Sequence, residues 1–140
     1  MAQSPFYDSL ACLKYHDEAD CRTKRKLLRR VRKNQRTYKR TAKYSPANHS
    51  HKFKFVEAER ARVKGKFHKA PALYDEAIAG AIEQQFTQDA ALACEFAADF
   101  YREIGDNDKT IAYAKDALGH YEKWGAFAKV EHVKEKFGIK

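Results

Sequence analysis

Between residues 22 and 43 the chain reads RTKRKLLRRVRKNQRTYKRTAK, twelve Lys and Arg with no Asp or Glu among them. Guanidinium and ammonium groups at that density bind anions: phosphate backbones, acidic headgroups or acidic protein surfaces. The candidate ligands are Arg22, Lys24, Arg25, Lys26, Arg29, Arg30, Arg32, Lys33, Arg36, Lys39 and Arg40. The competing reading is a solvated face neutralised by the acidic part of the same chain, because like charges one helical turn apart destabilise a helix. Tyr38 and Tyr44 are the nearby rings that could stack on a base, and both serve equally as core. Affinity for a phosphate backbone is therefore expected to be generic and salt-sensitive.

Other chemistry-bearing residues assemble less well. His49 and His51 are two apart, which puts their rings on different faces of a helix. His68, His120 and His132 lack a carboxylate or thiol at a ligand spacing. Asp75-Glu76 and Asp106/Asp108 fall where helices need caps or on solvent faces, with no nucleophile and base beside them. No catalytic residue, metal or cofactor is expected. The aromatic series Phe96, Phe100, Tyr101, Tyr113, Tyr121, Trp124 and Phe127 has helical spacing and reads first as core, with a peptide groove as the alternative. Lys52, Lys54, Arg60 and Arg62, with Lys64, would favour an acidic ligand in such a groove.

These residues must be held by helices. The chain has 140 residues, 44% hydrophobic and 34% charged, with six Gly and three Pro placed near element boundaries. Seven segments show apolar residues at helical spacing. The first runs from about Pro5 to Asp17, and Asp20 caps a second that runs to about Lys43 on a narrow stripe of Leu27, Leu28, Val31, Tyr38 and Ala42. Ser45-Pro46 opens the third, which ends at Gly65; the fourth spans about His68 to Gln85. Thr87 caps the fifth, ended by Gly105. The sixth opens near Asn107 or Asp108 and reaches Trp124-Gly125, and a last helix from about Ala126 to Phe137 carries Phe127, Val130, Val133 and Phe137 at spacings of 3, 3 and 4.

The expected architecture is all-α: one helical-repeat domain over 1–140, a tetratricopeptide-like α-solenoid of about three hairpins plus a C-terminal helix. It is basic over 1–69, with 20 Lys/Arg against 6 Asp/Glu, and acidic over 70–140, with 8 against 13. Three cysteines without a Cys-x-x-Cys pair suggest a reducing compartment and no disulfide framework. No apolar run approaches the ~20 residues of a membrane span. A secretory leader is not evident, so a cytoplasmic protein, or an organellar one after loss of a transit peptide, is expected.

The 34-residue tetratricopeptide unit asks for small residues at positions 8, 20 and 27 and an aromatic at 24; Ala58, Ala70, Tyr74 and Ala77 keep that spacing. EAERAR at 57–62, LYDEAI at 73–78, ALACEFAADFY at 91–101 and the series from Tyr121 through Trp124-Gly125 to Val130 follow in order. FYDSLACL and KLLRRVRKNQ lie upstream. Together these resemble the tetratricopeptide-like C-terminal region of large multidomain signalling proteins. Those chains join a serine/threonine kinase-like domain or a nucleotide cyclase to an AAA-type ATPase module, and often to a histidine kinase. The departures are the enzymes themselves. Gly65-Lys66 lacks the upstream glycine and following hydroxyl of a phosphate loop, and NHSHKFKF around His49 fits no phosphoacceptor box. The resemblance implies a scaffold without its enzymes: a protein-interaction module or accessory subunit, with nucleic-acid or anionic-surface binding through 22–43 as the alternative.

Overall fold

A computed structural model describes residues 5–42 and 46–140, without the side chains of 41, 42 and 46–50. The expectations placed on Ala42 as core, on Lys43, Tyr44 and Ser45, and on the His49 ring lie outside the described residues. Seven helices and no strand occur among those described: α1 Pro5–His16, α2 Cys21–Ala42, α3 Pro46–Val63, α4 Ala70–Glu83, α5 Thr87–Glu103, α6 Asn107–Trp124 and α7 Phe127–Phe137. No described helix is long and apolar enough to cross a membrane. The chain gathers into two compact units, Met1–Leu73 and Tyr74–Lys140, with the division inside α4. It falls four residues beyond the change from basic to acidic composition.

In the first unit α1, α2 and α3 each pack on the other two. Phe6, Leu10 and Leu13 of α1, Val31 and Tyr38 of α2 and Phe55, Val56 and Ala58 of α3 are all buried. The Phe6 and Phe55 rings stand edge to face at 5.7 Å. Each fully buried aromatic side chain contributes about 2–3 kcal/mol by leaving water. A polar seam adds specificity. The Phe6 N–H donates to the Tyr38 hydroxyl at 3.0 Å, and the Asn34 amide donates to Asp8 and Ser9.

The second unit is built on small residues. Ala91, Cys94 and Ala98 of α5 face Ala114, Ala117 and Leu118 of α6, and Val130, Val133 and Phe137 of α7 complete the core. Short side chains let helix axes approach closely, so backbone contact replaces bulky packing. Tyr74 of α4 lies 5.6 Å from Phe100 of α5, and the Tyr113 hydroxyl of α6 donates to Asp75 of α4.

The helix ends share one device. Gly65, Gln85, Gly105 and Gly125, twenty residues apart each time, hold positive φ. The following N–H, from Lys66, Phe86, Asp106 or Ala126, donates to the carbonyl of Ala61, Ala81, Tyr101 or Tyr121 at 2.8–2.9 Å. This left-handed stop satisfies carbonyls that a helix end would otherwise leave unpaired. Equivalent turns therefore recur after 40 residues, Gly65 to Gly105 and Gln85 to Gly125, instead of the 34 expected.

α6 opens at Asn107 as expected, and Asp106 before it is the cap, its carboxylate accepting the Lys109 N–H at 3.1 Å. Two local expectations are corrected. Thr87 is the first residue of α5, Phe86 occupies the cap position, and no side chain caps that end. Phe127, at the first turn of α7, is 68% exposed, so the inward stripe of that helix begins at Val130.

Candidate functional site

The basic segment is held on α2 by a cap at one end and a narrow buried stripe along its length. The Asp20 carboxylate accepts the Thr23 N–H at 2.7 Å and draws the helix out of the preceding turn. That bond keeps the Asp20 carboxyl below its ordinary range. Val31, Gln35 and Tyr38 are buried, and Leu27, Leu28 and Asn34 are half-buried. The Gln35 amide donates to the Phe53 carbonyl of α3 at 3.2 Å. Most of the other described side chains of α2 are exposed, and nearly all of those are cationic.

Arg22, Arg25, Lys26, Arg29, Arg32, Lys33, Arg36, Lys39 and Arg40 are exposed and make no ion pair among the described residues; Lys24 is half-buried. Arg30 differs. Its guanidinium grips Asp8 of α1 with two nitrogens, at 2.8 and 2.6 Å, and the hydrogen bonds and charge of Asp8 raise its pKa. One α2 cation is thus held by a carboxylate of its own unit, and nine face solvent.

Along α3 the four expected groove cations divide. Lys54 and Arg60 lie on the side that carries Lys64. Arg60 holds both Glu57 oxygens with one terminal nitrogen, at 3.1 and 2.8 Å, while its Nε is buried with no acceptor among the described residues. Lys52 turns towards α1, its ammonium 5.6 Å from the centre of the Phe6 ring. Arg62 departs from the expectation of a groove ligand. It is 7% exposed and donates to Glu59 at 3.1 Å, to Asp17 at 3.0 Å and to the Leu13 carbonyl. It ties α3 to α1.

Two clefts open on the free side of α3. Arg25, Leu28, Arg29 and Arg32 of α2, with Arg60 and Lys64 of α3, border about 520 Å³. The neighbouring cleft, about 410 Å³, shares Arg60 and Lys64 and adds Lys54, Lys66 and Lys69, with Glu57 as its one acid. Burial first, then the charges of Arg60 and Lys66, lower the Lys64 pKa, and Arg32 adds to the effect. Lys66 and Lys69 had no signal in the sequence beyond their charge, since they sit in the turn after Gly65 and only the fold brings them beside α3.

The remaining candidates have structural partners or stand apart. Asp75 accepts from Tyr113, and Asp106 is a cap. Phe100, Tyr101 and Tyr121 are buried, Phe96 and Tyr113 half-buried, while Trp124 is 52% exposed. Cys12 and Cys94 are buried free thiols, and burial above all pushes Cys94 up to about 12. Among the described residues no group of three or more His, Cys, Asp or Glu is placed to hold a metal ion. A cluster that the sequence reading missed lies on α5, where Glu95 is buried and accepts from Tyr121 at 2.8 Å and Lys136 at 2.9 Å. Its signal was a lone acid in the apolar run ALACEFAADF. Comparison with models of known protein families, with curated proteins and with solved structures returned no match in any of the three.

Proposed function

We propose that this chain is a non-catalytic helical interaction module, an accessory subunit that docks on a larger assembly through the basic face of α2 and the adjoining edge of α3. One observation carries the reading: nine exposed cations stand along α2 without an ion pair among the described residues. A helix about 33 Å long that carries such charge incurs self-repulsion, which an anionic partner relieves. In this reading α4–α7 form the solenoid part, a stack of antiparallel hairpins stepping every 40 residues. The likeness of residues 57–130 to the scaffold region of multidomain signalling proteins supports the same role.

The test compares the wild-type chain with a charge-reversed Arg25→Glu/Arg29→Glu/Arg32→Glu/Arg36→Glu variant in native lysate. Captured material is eluted stepwise in salt, and both protein and nucleic acid are identified. The expected result is a stoichiometric partner bound by the wild type and absent from the variant. A partner kept by the variant but lost on Trp124→Ala/Phe127→Ala would refute the assignment to α2.

A further inference from the structure

The α2–α3 cleft has a shape as well as a charge. Arg25, Arg29 and Arg32 follow one another at i, i+4 and i+7, so they share one edge of α2 and span about 10 Å along its axis. Arg60 and Lys64 face them from α3, and the shared wall leads on to Lys54, Lys66 and Lys69. The cations therefore form a row. A row suits a chain of charges better than a single ion.

The side chains narrow the class of ligand. Four of the five cations lining the first cleft are arginines, whose planar forks match phosphate oxygens two at a time. Arg60 keeps a buried Nε–H without an acceptor beside this wall. The Lys64 pKa is lowered by burial first and then by Arg60, Lys66 and Arg32, with Glu57 opposing in part, so the neighbouring cations outweigh the one nearby acid. Among the described residues the exposed large apolar side chains of the first unit are Tyr7, Tyr15 and Phe67; none is on α2, and Phe67 stands in the turn between Lys66 and Lys69. The described surface of α2 thus offers no aromatic anchor of the kind on which protein interfaces concentrate their affinity, and no apolar wedge to seat it in a bilayer. Among the described residues Leu28 is the one apolar side chain lining the first cleft, which has no ring to stack on a base; Phe53 lines the neighbouring one.

We infer that the α2–α3 cleft is a sequence-neutral track for the phosphate backbone of a nucleic-acid strand, with Arg25, Arg29, Arg32, Arg60 and Lys64 as its phosphate ligands. The inference rests on the proposed docking role of α2 and adds the partner's class and the edge that holds it. Binding leaves base edges unread, so strands of different sequence bind alike.

The test uses the full chain and a labelled 20-nucleotide oligouridylate, with binding followed by fluorescence anisotropy at several salt concentrations. The logarithm of affinity falls linearly with the logarithm of salt, by about 0.7 per phosphate engaged on a single strand. Arg25→Gln/Arg29→Gln/Arg32→Gln should flatten that slope by about 2. Lys115→Gln/Lys123→Gln/Lys140→Gln removes the same charge from exposed positions of the second unit and should leave the slope near the wild-type value. Circular dichroism and urea midpoints confirm that both variants fold. Equal losses in the two triples would show attraction by net charge alone and overturn the cleft. Tighter binding to a polyglutamate of matched charge, or to phosphatidylserine vesicles, would overturn the nucleic-acid class. Indifference of both triples towards every anion would overturn the docking reading as well.

Discussion

Replacing Lys136 by Met should destabilise the second unit by an amount that shrinks in acid. Glu95 is 4% exposed and is approached by Lys136 at 2.9 Å, Lys129 at 3.1 Å and the Tyr121 hydroxyl at 2.8 Å, joining α5 to α6 and α7. Burial alone pushes the Glu95 carboxyl up. The hydrogen bonds from Lys136 and Tyr121, with the charges of Lys136 and Lys129, outweigh it and hold the carboxyl at about 2, against 4.5 for a free glutamate. The folded value is the depressed one, so ionised Glu95 stabilises the fold above pH 4.5, and that contribution is lost as pH falls from 4.5 towards 2. At about 1.4 kcal/mol per unit the gap is worth about 3 kcal/mol at neutral pH. Lys129 keeps part of it, so Lys136→Met should cost about 2 kcal/mol at pH 7, short of the value for a wholly stranded buried charge. At pH 3 less than half of the Glu95 contribution survives, and the difference between variant and wild type should fall to about 1 kcal/mol or less. Urea unfolding of the full chain, read by fluorescence of the single tryptophan, Trp124 on α6, measures this directly. An unchanged midpoint at pH 7, or a difference that stays constant down to pH 3, would refute the account of Glu95.

Two further outcomes follow from the geometry. Gln85 holds φ 62 where its counterparts are glycines, so Gln85→Gly should stabilise the protein by about 1 kcal/mol, seen as a melting point raised by a few degrees. Arg62→Met removes the ion pair to the buried Glu59 carboxylate and should cost about 3 kcal/mol in urea unfolding, while Glu59→Leu/Arg62→Met should recover most of it; equal losses in the single and double variants would show that the pair is not coupled.

Much of the helical layout was legible because its punctuation is local. Asp20 before a basic helix, Pro46 in a first turn, and glycines at 65, 105 and 125 act through their own backbones, and a reader of sequence sees them. Gln85 occupies the same left-handed position with no glycine to announce it, so the end of α4 was placed two residues late. The start of α6 at Asn107 was legible too, since Asp106 and Asp108 mark a helix N-terminus in the sequence. For the candidate site, charge and helical phase were readable on α2, and the fate of each cation was not. Arg30 and Arg22 look alike in the sequence, and only the arrival of Asp8 on α1 distinguishes them. Arg62 and Arg60 are two residues apart, which on a helix means different faces, one turned into the α1 core and the other to the cleft.

The recurrence of the left-handed stop every twenty residues has a consequence for how such a chain can grow. Ala70, Ala90, Thr110 and Val130 occupy equivalent places in the first turns of α4 to α7, and all four are buried. In the proposed solenoid, duplicating the stretch from one stop to the next equivalent one, such as 65 to 105, would add a hairpin and return every later residue to its face. Adding one residue inside α5 would instead rotate all that follows by about 100° and carry buried alanines into water. Length variation in related chains should therefore come as whole hairpins or within turns, and a gene that gained or lost forty codons here would still encode a seam of small residues facing one another.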